Sequence, residues 1–199
     1  WYTLPKGGDT VEKTAVQKLA GALKVLVTIT LVCNLVALLL VPGMSLMKGP
    51  EELLALTPYE NPLEVPLRVG IAFVLSWGWV WTAGVYEVVL ALFLLFCGIC
   101  TAVILWQGRR VLGTILTGAP FRAENGVSLR RAAVCCFLIA AAALARVVWG
   151  LFYYGSVAPL LTYNALFVPI FILGGLLCLV MSALFRQAAE LKAENDLTI

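Results

Sequence analysis

Residues 107–131 read QGRRVLGTILTGAPFRAENGVSLRR, a stretch that carries Arg109, Arg110, Arg122, Arg130 and Arg131 against one acid, Glu124. Long apolar runs lie on both sides of it, and short cytoplasmic loops of membrane proteins collect Lys and Arg. The side on which this stretch lies therefore sets the threading of the whole chain. The N-terminal arm has the same bias, with Lys6, Lys13, Lys18 and Lys24 against Asp9 and Glu12. Residues 42–84 have the opposite one, with Glu51, Glu52, Glu60 and Glu64 against Lys48 and Arg68.

Composition places all of this in a bilayer. Of the 199 residues 62% are hydrophobic and 13% charged, whereas a soluble domain is about half apolar and about a quarter charged. A soluble globule, a disordered chain and a basic-faced nucleic-acid-binding domain are excluded, so no direct nucleic-acid partner is expected. A spanning helix needs about 20 mainly apolar residues. Four runs satisfy this, at about 22–41, 85–106, 132–154 and 160–185. The apolar, tryptophan-rich stretch Val69 to Thr82 (Trp77, Trp79, Trp81) is too short, and counting it as a span would put the two basic regions on opposite sides. With four spans the N-terminal arm, the elbow 107–131 and the tail 186–199 all face the cytoplasm, and the loop 42–84 faces out. The expected fold is all-α: a four-helix integral membrane bundle, N-in and C-in, with a re-entrant or interfacial outer segment. The first span lacks a small-residue cleavage site and reads as a retained anchor. The chain begins at Trp1, so native residues are expected to precede it.

Ionisable groups at membrane depth raise a functional question by default. Arg146 lies 15 residues after Arg131, about 22 Å from the cytoplasmic end, and Glu87 lies 19 residues before Trp106, about 28 Å from it. An unpaired arginine there costs at least about 2.5 kcal/mol. The two are expected to pair, or Arg146 to meet backbone carbonyls of the outer loop. Either they form a structural ion pair that fixes helix register, or they mark a ligand or proton site. Asn34, at mid-membrane, is expected to hydrogen-bond a neighbouring helix. Pro169 should kink the fourth span, with Gly174 and Gly175 allowing close helix approach near it.

No histidine is present, which removes the commonest metal ligand and general base. All six cysteines fall in apolar runs. Cys97-Gly98-Ile99-Cys100 has redox spacing, but no loop cysteine exists to exchange with a soluble partner, and an i, i+3 pair inside a helix is hard to close. Close-packing residues are the preferred reading, with adjacent Cys135 and Cys136 pointing in different directions. No cofactor, metal or catalytic residue is implied.

In the elbow, Val111, Leu112, Ile115 and Leu116 keep helical spacing, so the second span continues past the bilayer until Gly118 stops it. Residues 120–125 are expected to turn, and Ser128 to Arg131 to lead into the third span. The elbow reads equally as an interfacial bend or as a docking surface. The tail is helix-forming and too short to be stable alone; it reads as a solvated end or as a second docking element.

The elbow GAPFRAENGVSLRR and the terminus FRQAAELKAENDLTI resemble a bacterial membrane family known as domain of unknown function 2975. Pro120, Phe121, Glu124, Asn125 and the Asp196-Leu197-Thr198-Ile199 ending carry the likeness. It implies a four-span protein with no catalytic activity, often encoded beside a small helix-turn-helix regulator. The resulting expectation is a non-enzymatic bacterial inner-membrane protein that signals through such a regulator. Its contacts would come from Pro120, Phe121, Arg122, Glu124, Asn125, Asp196, Leu197, Thr198 and Ile199. A small transporter or immunity-type protein with a ligand near Glu87 and Arg146 is the alternative, and a thiol oxidoreductase ranks third. Homo-oligomerisation is left open.

Overall fold

The computed structural model describes residues 15–46, 64–119 and 121–196. Among the described residues five helices follow one another: α1 (Ala15–Leu46), α2 (Glu64–Trp79), α3 (Val85–Leu116), α4 (Ala123–Tyr154) and α5 (Tyr163–Asp196), with 3-10 turns at Val80–Thr82 and Ala158–Leu161. Among the described residues there is no strand. Helices α1, α3 and α4 have 32 residues each and α5 has 34. A 32-residue helix is about 48 Å long, well beyond the roughly 30 Å of a hydrocarbon core. All four are apolar enough to cross a membrane. The protein is an all-α, multi-pass membrane bundle.

The long helices pack in chain order, α1 on α3, α3 on α4 and α4 on α5. α4 is the central helix. Its buried face repeats small residues at helical spacing (Gly126, Ala132, Ala133, Cys136, Ala140, Ala143, Gly150), which lets neighbours approach closely. On α5, a β-carbon at Gly175 would lie 2.9 Å from the Phe137 ring, whereas Gly174 faces open space. Only the second of the two predicted glycines makes a helix contact. Large side chains such as Leu19, Leu39, Leu173 and Leu177 are more than 60% exposed. Water would penalise that surface by about 25 cal/mol per Å²; lipid tails do not.

Polar side chains of α1 find partners inside the bundle, whereas Gln107 Oε1, buried on α3 at the elbow end, has none among the described residues. Asn34 Nδ2 donates to the Gly98 carbonyl at 2.9 Å, joining α1 to α3 as expected. Gly98 makes this contact accessible, because a β-carbon there would lie 2.5 Å from Leu38 Cδ2. Thr28 and Thr30 donate to the carbonyls of Lys24 and Leu26 one turn back. Replacing Asn34 with alanine should lower stability by only about 0.6 kcal/mol, visible as a small drop in detergent melting midpoint.

Three boundaries differ from the sequence reading. α1 does not end at Val41 but continues through Pro42 to Leu46. Proline removes one donor, yet Ser45 Oγ donates to the Pro42 carbonyl at 2.9 Å and the Phe73 ring packs on Gly43, holding the last turn. The elbow turn is shorter than 120–125, because α4 starts at Ala123 with Glu124 in its first turn, where an acid complements the helix dipole. The fourth span was expected from 160; those residues instead form a 3-10 turn, and α5 begins at Tyr163. Gly118 (φ 73°) and Gly155 (φ 59°) adopt the left-handed conformation that closes α3 and α4.

The tryptophan-rich stretch occupies the end of α2 and the following 3-10 turn. α2 runs antiparallel to α1, with Phe73 against Gly43 and the Trp77 Nε1 donating to the Leu39 carbonyl at 3.1 Å. Its tip thus reaches only the level of Leu39, just inside the end of the first apolar run. Trp79 and Trp81 are outward-facing there, as suits a headgroup layer. Val41, Val80 and Ala91 close a small core beneath it.

Candidate functional site

Basic residues gather at one end of the bundle, the elbow end. A β-carbon at Gly113 would lie 3.6 Å from Lys24 Nζ, and Arg109 and Arg110 line a shallow pocket with Lys24. The elbow itself is pinned from two sides. Asn125 Nδ2 donates to Thr114 Oγ1 at 2.7 Å, fastening α4 to α3. Ser182 Oγ donates to the Gly126 carbonyl at 2.7 Å, fastening α5 to α4. A side chain at Gly126 has no room, since a β-carbon would meet Arg186 Cγ at 2.9 Å and the Ser182 carbonyl at 3.1 Å. The Phe121 ring lies 6.4 Å, centroid to centroid, from Phe185.

This geometry divides the predicted contact residues. Phe121, Arg122 and Glu124 are exposed. Asn125 is 2% exposed and holds the elbow together from within, so it presents no surface to a partner. Pro120, Leu197, Thr198 and Ile199 lie outside the described residues, and Asp196 is the last residue of α5. As far as Asp196 the tail is helical in direct continuation of α5, with an exposed Arg186–Glu190 ion pair at 3.9 Å. A cavity of about 240 Å³ opens between the ends of α3 and α4, lined by Arg110, Thr114, Arg122 and Ser128 among others.

At the opposite end the expected pairing of Glu87 and Arg146 does not form. Glu87 folds back over the start of its own helix, its Oε2 2.5 Å from where a β-carbon of Gly84 would be. The Arg146 guanidinium instead covers the Phe93 ring, 4.7 Å from its centroid, a cation–π contact. The register explains this. Phe93 and Arg146 each lie 21 residues from the Thr114–Asn125 contact, so the two are level across antiparallel helices. Glu87 is six residues, or about 9 Å, farther out. Counting from Trp106 and Arg131 misses this, because Arg131 is level with Gly108.

Beside Arg146 is a cavity of about 310 Å³ whose walls include Tyr86, Trp149, Tyr154, Thr162 and Asn164. Tyr86 from α3 sits 6.3 Å from Trp149 and 6.4 Å from Tyr154, and Trp149 stacks on Tyr153 at 4.9 Å. These aromatics do not figure in the sequence reading. Their signal is the i, i+4 placement of Trp149 and Tyr153 at a span end, which reads equally as an interfacial belt.

Four of the six cysteines form contacts between helices. Cys100 lies against Cys135 and Cys136 against Cys178, linking α3, α4 and α5, and all six thiols are free. The adjacent pair does point in two directions. Among the described residues no group of histidine, cysteine and acid side chains is arranged to hold a metal.

A family model described as Protein of unknown function (DUF2975) matches residues 57–199. No curated protein and no solved structure matches the chain. The matched stretch takes in the tryptophan-rich segment, the elbow, the Arg146 cavity and the tail, and leaves out α1. Since it covers well over half of the sequence, the chain belongs to the DUF2975 family.

Proposed function

We propose that this protein is a non-enzymatic interaction protein of the bacterial inner membrane, engaging a cytosolic partner through its elbow and tail. The partner class implied by the family resemblance is a small helix-turn-helix regulator, which the membrane protein would sequester or release. The observation that carries this reading is the joining of elbow and tail into one surface. Ser182 and Phe185 on α5 hold Gly126 and Phe121, so the exposed Phe121, Arg122 and Glu124 sit beside the root of the tail. Two apolar and charged elements presented together on fixed helices suit a protein contact better than a frayed terminus does.

Deleting Asp196 to Ile199 should leave membrane insertion and melting midpoint unchanged and abolish co-purification of a small helix-turn-helix regulator. Unchanged co-purification would refute the reading. The transporter or immunity-type alternative retains Arg146 but loses Glu87, which lines no part of the cavity. It requires uptake or resistance to vanish when Arg146 is neutralised.

A further inference from the structure

We infer that the cavity beside Arg146 binds the anionic head of an amphiphile, a phosphate or carboxylate carrying an apolar chain. This does not depend on the cytosolic partner. Four observations converge on it. Arg146 is half-buried, and among the described residues its guanidinium meets the Phe93 ring and no carboxylate within 4.0 Å. Among the described residues the cavity wall holds this one cation and no acid. The N-terminal end of α5 opens on the same space through Thr162, the residue before it, and Asn164 in its first turn, and a helix N-terminus favours negative charge. Thr162 Oγ1 donates to the Pro159 carbonyl at 2.7 Å, and the Ala165 amide bonds the Thr162 carbonyl and not this hydroxyl.

The rest of the wall sets the remainder of the ligand. Tyr86, Trp149 and Tyr154 give apolar ring faces with hydroxyl and indole donors at their edges. Arg146 lies eight residues, about 12 Å, inside the end of α4. An anion reaching it comes from the headgroup layer with its chain along the exposed apolar faces of α4 and α5. A lipid phosphodiester and a free alkyl phosphate share this chemistry.

The test uses the full chain in a neutral detergent. Short-chain phosphatidylglycerol, the matching phosphatidylcholine, hexyl phosphate and inorganic phosphate are titrated, with melting midpoint and tryptophan fluorescence read out. Phosphatidylglycerol or hexyl phosphate should raise the midpoint saturably, and phosphatidylcholine should not. Arg146→Gln should raise the half-saturating concentration about tenfold, as loss of a charge-assisted contact does. A response to phosphatidylglycerol alone assigns the head to a lipid, and a response to hexyl phosphate assigns it to a free amphiphile. Inorganic phosphate as effective as hexyl phosphate, equal response to both phospholipids, or unchanged binding by Arg146→Gln would each overturn the proposal. Should that variant fail to fold, Asn164→Leu removes a polar group from the cavity wall without altering the charge. It should weaken binding by a similar factor, and wild-type binding there would also overturn it.

Discussion

Replacing Asn125 with leucine should lower the stability of the bundle by about 2 kcal/mol, the cost of leaving buried hydrogen-bonding groups unmatched. Asn125 is 2% exposed and donates to Thr114 Oγ1 at 2.7 Å. The leucine is similar in size but offers no donor, so the Thr114 hydroxyl keeps its own bond to the Val111 carbonyl and loses the one it accepts. The same contact sets the axial alignment of α3 against α4. Its loss should therefore also disturb the level match of Phe93 and Arg146 at the other end. Thermal unfolding in detergent measures the first effect, and Arg146-dependent anion binding the second. Arg122→Ala, an exposed neighbour, is the control, with a stability change within about 0.5 kcal/mol. Equal midpoints for the two variants would contradict the role assigned to Asn125.

Gly175→Val should cost about 1–3 kcal/mol by overpacking the α4–α5 seam. A β-carbon at Gly175 would already stand 2.9 Å from the Phe137 ring, and a valine adds two methyl groups. Phe137→Ala in the same chain should recover part of the loss, since the new methyl groups then occupy the vacated ring volume. Non-additivity of 0.5 kcal/mol or more is expected for residues in contact. The same valine at Gly174, which faces open space, should be nearly neutral. Equal penalties at both glycines would show that backbone propensity, not packing, is being measured.

The architecture was legible from apolar run length and from the placement of arginine, lysine and glutamate. Those features reflect strong, long-range constraints: hydrocarbon thickness and the energetic cost of charge in lipid. Asn34 was legible for the same reason, because an amide at that depth must find a partner. The Glu87–Arg146 pairing was misread because it depended on axial register, which a hydropathy profile does not contain. That register is set by Thr114 and Asn125, two ordinary polar residues far from the pair. Asn125 itself was read as a surface contact because its neighbours Phe121, Arg122 and Glu124 are exposed. The aromatic wall of Tyr86, Trp149 and Tyr154 was not legible either, since its members come from two helices and each alone resembles a headgroup anchor.

One helix, α5, runs without interruption from the cavity rim at Asn164 to Asp196, crossing α4 tightly at Gly175 and Phe137. That crossing lies about 18 Å from the start of the helix and about 31 Å from its end. The Ser182–Gly126 hydrogen bond is a second attachment about 10 Å farther along, so α5 is tied to α4 at two levels and cannot pivot about either alone. A displacement at the cavity end would reach the tail only if both attachments gave together.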